Sequence, residues 1–313
     1  MDHDGFVLSR LYWAGAERLV QERDHLNRIN TFPVPDGDSG TNMAFTMTAA
    51  AEAAAAPDPV AGHVAQRAAR VALLSARGNS GIILSQILAG MGQTLKDLEV
   101  FTPADLATAF ARSSELAYRA VAEPVEGTIL TVIRSVAETA QGLKNARLPE
   151  FLSGVTASAR AAVADGPRLF PKLAKDGVVD AGGLGLAFIL SAMHDALGRQ
   201  DAAHQLDLQT ARLGIQVAQG GALKAPTPAK GAHWGYEVQY VQRGSGLDLA
   251  AMRAALQDMG NSLLVVGDDT TVKVHIHTLA PQRVVDWALA QGDLDDLTFE
   301  DLDAQAAEFR SED

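Results

Sequence analysis

Asp36 and Asp38 stand one residue apart in the stretch Asn30-Thr-Phe-Pro-Val-Pro-Asp-Gly-Asp-Ser-Gly-Thr-Asn-Met43, a spacing that lets two carboxylates share one cation. Pro33 and Pro35 fix φ and favour an extended approach, while Gly37 and Gly40 let the backbone turn tightly beside the two acids. The pattern predicts a stiff, anionic loop and then a helix from about Asn42 to Ala56, capped by Ser39 or Thr41. The N-terminal N–H groups of such a helix favour an anion. Carboxylates beside an anion site point to a bridging cation, the way a protein holds Mg²⁺ against phosphate. A calcium loop of EF-hand type is excluded, because Gly40, Thr41 and Met47 stand where it needs an acceptor, a glycine and a glutamate. A solvated Asp-Gly turn is the plainer reading of the spacing taken alone.

A second loop, Ser75-Ala-Arg-Gly-Asn-Ser-Gly-Ile82, leads into the apolar-periodic run Ile82, Ile83, Gln86, Ile87, Gly90, Met91. Ser80 can cap that helix, Gly78 and Gly81 allow close backbone approach, and Arg77 could balance charge on a transferred phosphoryl group. A bare helix cap is the alternative. Glu126-Gly-Thr-Ile-Leu-Thr131 and Asp176-Gly-Val-Val-Asp-Ala-Gly-Gly183 again put small, hydroxyl-bearing or acidic residues just before apolar runs. Four helix starts thus share one chemical type.

The elements that must position these loops read as helices. Residues 5–198 are successive helical runs separated by Gly, Pro or Asp turns, with Ala-rich packing faces at 49–56 and 65–76, which makes an all-α domain over 1–200. Residues 201–231 read as a linker ending in a Gly- and Pro-rich run from Gln219 to Gly231. Over 232–313 the texture changes. His233–Gln242 alternates as a strand, Leu247–Met259 is an amphipathic helix, and Ser262–Val266 and Thr271–Thr278 are strands across the Asp268-Asp269 turn. Val284–Gln291 is a helix, Leu297–Phe299 a short strand, and the acidic end 300–313 a solvated tail or last helix. The order β-α-β-β-α-β predicts a smaller α+β domain of ferredoxin-like type. His275 and His277 project from one face of their strand, an arrangement that suits zinc or equally two hydrogen-bonded histidines at a sheet surface.

Composition bounds the function. The 313 residues suffice for two cores, and 47% apolar residues with a mean hydropathy of +0.03 describe a soluble globular chain. The formal charge of −12, without long Lys/Arg clusters, excludes a nucleic-acid partner and makes direct contact with anionic lipid unfavourable, so lipid would arrive through a carrier. Ala181–Met193 is too short to span a bilayer, and the N-terminus lacks the regions of a signal peptide, so the expected location is cytoplasmic. With no cysteine there is neither a disulfide framework nor a thiolate metal site. An exposed sheet edge in the second domain makes a homodimer feasible.

The strings Phe-Pro-Val-Pro-Asp-Gly-Asp-Ser-Gly-Thr-Asn-Met, Ser-Ala-Arg-Gly-Asn-Ser-Gly-Ile-Ile-Leu-Ser-Gln, Pro-Val-Glu-Gly-Thr-Ile-Leu-Thr and Val-Val-Asp-Ala-Gly-Gly resemble the bacterial fatty-acid kinase catalytic subunit. The N-terminal domain of that family is of the ATP-binding, or L, class of dihydroxyacetone kinase domains (DAK2). The resemblance covers residues 5–200 and implies an antiparallel barrel of about eight helices holding ATP or ADP and two Mg²⁺ at one end. It implies catalytic roles for Asp36, Asp38 and Arg77, with the two acids as Mg²⁺ ligands. Asn42, Ser80 and Gly81 would contact nucleotide, as would Ser39, Thr41, Gly78, Asn79, Thr128, Asp180, Gly182 and Gly183 in the same four loops. Dihydroxyacetone kinases have a third Asp before the pair and a His after it. Here Asn30 and Ser39 stand nearest those places, so Asn30 would offer Mg²⁺ a neutral oxygen, a change toward the fatty-acid branch.

The second domain resembles the middle domain of the same family, most clearly in Val272-Lys-Val-His-Ile-His277. There the two histidines resemble metal ligands joined by a Cys on the first strand. Here Glu237 takes that place, which implies a harder and weaker Zn²⁺ site, with His233 as a further candidate ligand. The activity implied is transfer of phosphate from ATP to a fatty-acid carboxylate presented by an acyl-binding, DegV-like protein, giving an acyl phosphate. No Walker P-loop is present. Full-length members of that family have a third domain that engages the carrier, and this sequence ends after the second, as either a piece of a longer protein or a naturally short relative would; carrier docking would then use another surface or another chain. The alternatives are the nucleotide subunit of a dihydroxyacetone-type kinase, whose substrate-binding domain would have to come from a partner, and a non-catalytic ADP-sensing module.

Overall fold

The computed structural model describes residues 2–198 and 234–311. They form two compact units: residues 2–30, 38–119 and 124–198 make the first, and residues 31–37, 120–123 and 234–311 the second. The expected linker 201–231 and His233 lie outside the described residues.

The first unit is all-helical: α1 (Gly5–Arg28), α2 (Ser39–Ala54), α3 (Ala61–Ser75), α4 (Gly78–Leu95), α5 (Pro103–Ala120), α6 (Ile129–Leu143), α7 (Leu148–Leu169), α8 (Pro171–Asp176) and α9 (Ala181–Leu197). Nine helices are thus described where about eight were expected. The extra one, α8, is little more than one turn, opened by Pro171 at its start and stopped by Gly177 at φ +71. Helix α1 shows why these segments fold as they do. The Asp4 carboxylate accepts the Val7 N–H at 3.0 Å as an N-cap, and Leu8, Leu11, Tyr12, Gly15, Ala16, Leu19 and Leu26 bury one face at helical spacing. Small residues let the helices approach closely. A Cβ on Gly15 would lie 3.0 Å from the Ile189 side chain on α9, and one on Gly90 of α4 would sit 2.4 Å from the Ser113 backbone of α5. The helices enclose a cavity of about 40 Å³ lined by apolar side chains and Tyr12, with Leu8, Met47, Phe110 and Ile189 in its wall. No helix among the described residues is long and apolar enough to cross a membrane.

The second unit runs β1 (Tyr236–Arg243), α10 (Leu249–Leu256), a 3-10 turn at Gln257–Met259, β2 (Asn261–Gly267), β3 (Thr271–Thr278), α11 (Pro281–Gln291), β4 (Leu294–Asp301) and α12 (Leu302–Ser311). The sheet order is β2-β3-β1-β4 with every neighbouring pair antiparallel, which is the expected β-α-β-β-α-β arrangement with one more helix appended. One face packs Val238, Tyr240, Val272, Val274 and Ile276 against Met252 and Leu256 of α10 and Val284, Val285 and Ala288 of α11. Alternation then sends Glu237, Gln239, Lys273, His275 and His277 to the other face. On the outer edge of β2, Val121 bridges Leu264, so that edge is not fully open. The acidic end is helical, and α12 seats Leu302 and Ala306 against Val34 and Trp234. The Asp303 carboxylate accepts the N–H groups of Trp234 and Gly235 at 3.0 to 3.2 Å, fixing the entry to β1.

Candidate functional site

Helix α2 begins at Ser39, three residues before the expected start, because its first N–H groups are satisfied from outside the helix. Asn30 Oδ1 accepts the Ser39 N–H at 2.9 Å, and Asn27 Oδ1 accepts the Thr41 N–H at 3.0 Å. Asn27 Nδ2 in turn donates to Thr41 Oγ1 at 3.0 Å. Ser39 and Thr41 therefore do not cap their own helix, and their hydroxyls turn to other partners. Ser39 Oγ lies 3.0 Å from Ser80 Oγ, which joins the starts of α2 and α4. Asp38 occupies the N-cap position of α2, and its Oδ2 accepts from Asn42 Nδ2 at 2.7 Å. Asp36 is half-buried in segment 31–37, just before Gly37, which turns the chain at φ +68.

Helix α4 likewise starts early, at Gly78, with Arg77 extended at its N-cap, so Ser80 falls inside the first turn instead of capping it. Gly78 has φ +54, and a Cβ there would meet Asn42 Nδ2 at 2.2 Å. A Cβ on Gly81 would lie 2.6 Å from Thr46 Oγ1. These two glycines let the start of α4 nest against α2. The Arg77 guanidinium stands 5.4 Å from the centre of the Phe45 ring, a cation–π contact that holds it near α2. Asn79 is half-buried in the first turn of α4.

Thr128 caps α6: its Oγ1 accepts the Leu130 N–H at 3.4 Å and donates to the Val125 carbonyl at 2.7 Å. Asp180 caps α9 and reaches across to α6, since its Oδ2 accepts both the Gly183 N–H at 2.7 Å and the Ile129 N–H at 2.8 Å. Desolvation pushes the Asp180 carboxyl up to about 6 against the opposing pull of those two hydrogen bonds. Gly182 and Gly183 lie over Ile129 and Val132, where a Cβ would be 3.4 and 3.0 Å from those side chains. Gly185 touches Met43, closing the chain of contacts from α9 back to α2. The four helix starts singled out in the sequence thus meet in the order α4, α2, α9, α6.

Asn27 was not legible as a site residue, although it organises the α2 start. Nor was the network behind Gly127. Thr131 Oγ1 accepts the Gly127 N–H at 2.7 Å and donates to Glu126 Oε2 at 2.6 Å, while Arg134 and Tyr118 also donate to Glu126 at 2.7 and 2.9 Å. Glu126 sits in a quoted string, yet only the fold brings Tyr118 and Arg134 to it.

In the second unit, Glu237 on β1 lies opposite His277 on β3, and the ligand atoms of Glu237, His275 and His277 fall within 4.8 Å of one another. His275 Nδ1 is 3.6 Å from Glu237 Oε1, and His277 Nε2 is 3.7 Å from Glu237 Oε2. These separations exceed a hydrogen bond. They come close to the ~3.3 Å edge of a tetrahedron of N and O ligands at ~2.0 Å from one ion. Both histidines are buried, not surface residues, and His275 Nδ1 and Nε2 and His277 Nε2 have no hydrogen-bond partner. The residues present therefore fit a divalent cation. Burial alone would raise the Glu237 carboxyl, but the facing imidazoles hold it well below the usual carboxylate range. Desolvation lowers His277, which favours the neutral, ligating form of the ring.

Residues 33–195, more than half of the chain, match the DAK2 domain, and the chain belongs to that family. Residues 233–309 match the middle domain of the FakA-like fatty acid kinase family. Protein YloV of Bacillus subtilis is 32% identical over 309 residues, covering 96% of this chain and 56% of that protein. An uncharacterized protein of Staphylococcus saprophyticus is 32% identical over 310 residues, covering 97% of this chain and 56% of its own. The chain thus spans about half the length of the curated relatives it matches. Among solved structures, the dihydroxyacetone kinase from C. freundii in complex with AMP-PNP and Mg²⁺ aligns with a TM-score of 0.48 and 17% identity, covering 60% of this chain and 33% of that one.

Proposed function

We propose that this chain is the nucleotide-binding subunit of an ATP- and Mg²⁺-dependent phosphotransferase. The observation that carries the reading is the meeting of four helix starts, α4, α2, α9 and α6, each rich in small and hydroxyl-bearing residues. Backbone N–H groups at helix starts are suited to phosphate oxygens. The carboxylates of Asp36 and Asp38 on either side of Gly37 are hard oxygen donors of the kind Mg²⁺ takes, and the Asn30 amide oxygen, which accepts the Ser39 N–H, is a neutral oxygen at the same helix start. Bound Mg²⁺ would neutralise phosphate charge and keep the transferred group in line.

The chain's own residues then act by positioning. Asn42 holds Asp38 in place through its amide. Gly78 and Gly81 keep the α4 start close to α2, with Ser80, Asn79, Ser39 and Thr41 as the polar groups about it. Thr128, Asp180, Gly182 and Gly183 build the α6 and α9 side of the nucleotide site. Arg77 is the cation for charge developing on the phosphoryl group. Nothing in this set requires a covalent enzyme intermediate.

The match of the second unit to the FakA-like fatty acid kinase middle domain supports a fatty-acid carboxylate as acceptor, presented by an acyl-binding partner in the cytoplasm. The test is ATP-to-ADP turnover with Mg²⁺, with and without an acyl-binding protein loaded with fatty acid, beside a dihydroxyacetone control. Carrier-dependent turnover is expected. Turnover with dihydroxyacetone alone would move the acceptor to a triose, and tight binding without turnover would make the chain an ADP sensor. Asp38→Ala should abolish Mg²⁺-dependent nucleotide binding while leaving the helical circular dichroism unchanged. Unaltered affinity in that variant would refute the metal assignment.

A further inference from the structure

Glu237 and Gln239 on β1 pair with His277 and His275 on β3, so four side chains form a two-by-two square on the sheet face away from α10 and α11. Their exposures are 4, 3, 2 and 0% in that order. Buried polar atoms are normally paired. Here Gln239 Oε1 lacks a hydrogen-bond partner, as do His275 Nδ1 and Nε2 and His277 Nε2. One nitrogen of each imidazole, a carboxylate oxygen and an amide oxygen share one property, a lone pair to donate. A cation is the occupant that takes these four together.

We propose that Gln239 is the fourth protein donor of this centre, its Oε1 joining Glu237, His275 and His277 around one first-row divalent ion. The proposal rests on the reading of those three residues as metal ligands. Gln239 Nε2 donates to Glu237 Oε1, which places the amide beside the carboxylate that would hold the ion. Four protein donors close a centre and make it structural, whereas three leave a position for water or substrate. A set of two imidazoles, a carboxylate and an amide contains no thiolate and suits first-row divalent ions, so Co²⁺ can report on it by its visible absorption.

The experiment strips the full chain with chelator, saturates it with Mg²⁺ to fill the acidic loop, and titrates Co²⁺ while recording visible absorption. His277→Ala runs in parallel. Wild type should take up one Co²⁺ that His277→Ala does not, with the intense bands of a four-coordinate ion. Gln239→Leu should bind about 10–100-fold more weakly and show weaker bands as water replaces the amide. Gln239→Glu should restore affinity with shifted bands. If wild type binds no more Co²⁺ than His277→Ala, the centre itself is refuted and Gln239 with it. If wild type binds and Gln239→Leu matches it in affinity and spectrum, the centre stands and the role of Gln239 falls. Should Gln239→Leu fail to fold, a Gln239→Glu spectrum identical to wild type overturns the proposal.

Discussion

Asp180 ties the starts of α6 and α9 together through one oxygen, and that makes it a measurable source of pH-dependent stability. Its carboxyl moves from the ordinary 3.8 to about 6 in the folded chain, chiefly by desolvation. Each pKa unit is worth ~1.4 kcal/mol, so the difference amounts to ~3 kcal/mol at most, the residue being partly exposed overall. Because the folded value is raised, the folded chain binds this proton more tightly than the unfolded chain. The stabilisation is therefore complete below about 4 and is lost as pH rises through about 6. Asp180→Asn keeps an oxygen for the Gly183 and Ile129 N–H groups but removes the titration. Urea unfolding followed by helical circular dichroism at several pH values from 4 to 7.5 should show wild type losing up to ~3 kcal/mol relative to Asp180→Asn across that range. Asp180→Ala should lose ~2–4 kcal/mol at neutral pH, since two buried N–H groups then have no acceptor. Parallel pH profiles for wild type and Asp180→Asn would refute the reasoning.

Two further perturbations probe the packing around the site. Gly78→Ala puts a Cβ 2.2 Å from Asn42 Nδ2 at φ +54, so it should cost ~1–3 kcal/mol in thermal unfolding and weaken nucleotide binding by displacing the Asn42 amide from Asp38. Tyr12 is 1% exposed beside the 40 Å³ cavity, its hydroxyl without a hydrogen-bond partner. Removing that hydroxyl in Tyr12→Phe should leave stability unchanged or raise it by up to ~1 kcal/mol, and a loss above ~1 kcal/mol in urea unfolding would reveal a partner for it.

The helical unit was legible because apolar-periodic runs are separated by Gly, Pro and Asp turns, and four of its helix starts because small, hydroxyl-bearing and acidic residues cluster there. The starts themselves were misplaced by about a turn at α2 and α4. Local rules assign caps to the nearest Ser or Thr, whereas at α2 Asn27 and Asn30 supply the acceptors from the end of α1 and just beyond it. Strand β3 was legible to the residue, since Thr271–Thr278 alternates between strong turn signals. Gln239 was not. A glutamine on a strand reads as solvated, and only the pairing of β1 with β3 shows it buried beside His275. The Glu126 network was hidden for the same reason, its members lying on α5, α6 and the loop between them.

The packing of Val34 against Trp234, Leu302 and Ala306 has a consequence for the order in which the protein is made. Segment 31–37, which carries Asp36, leaves the ribosome some two hundred residues before the first of those partners. N-terminal units fold first during synthesis. The helices can therefore assemble while this acidic segment still waits for its seat, and α12, at the far end of the sequence, is the last piece it needs. A protein built this way seats Val34 only once residue 306 has been made, so a ribosome-bound chain that stops short of α12 would hold folded helices with segment 31–37 still unseated.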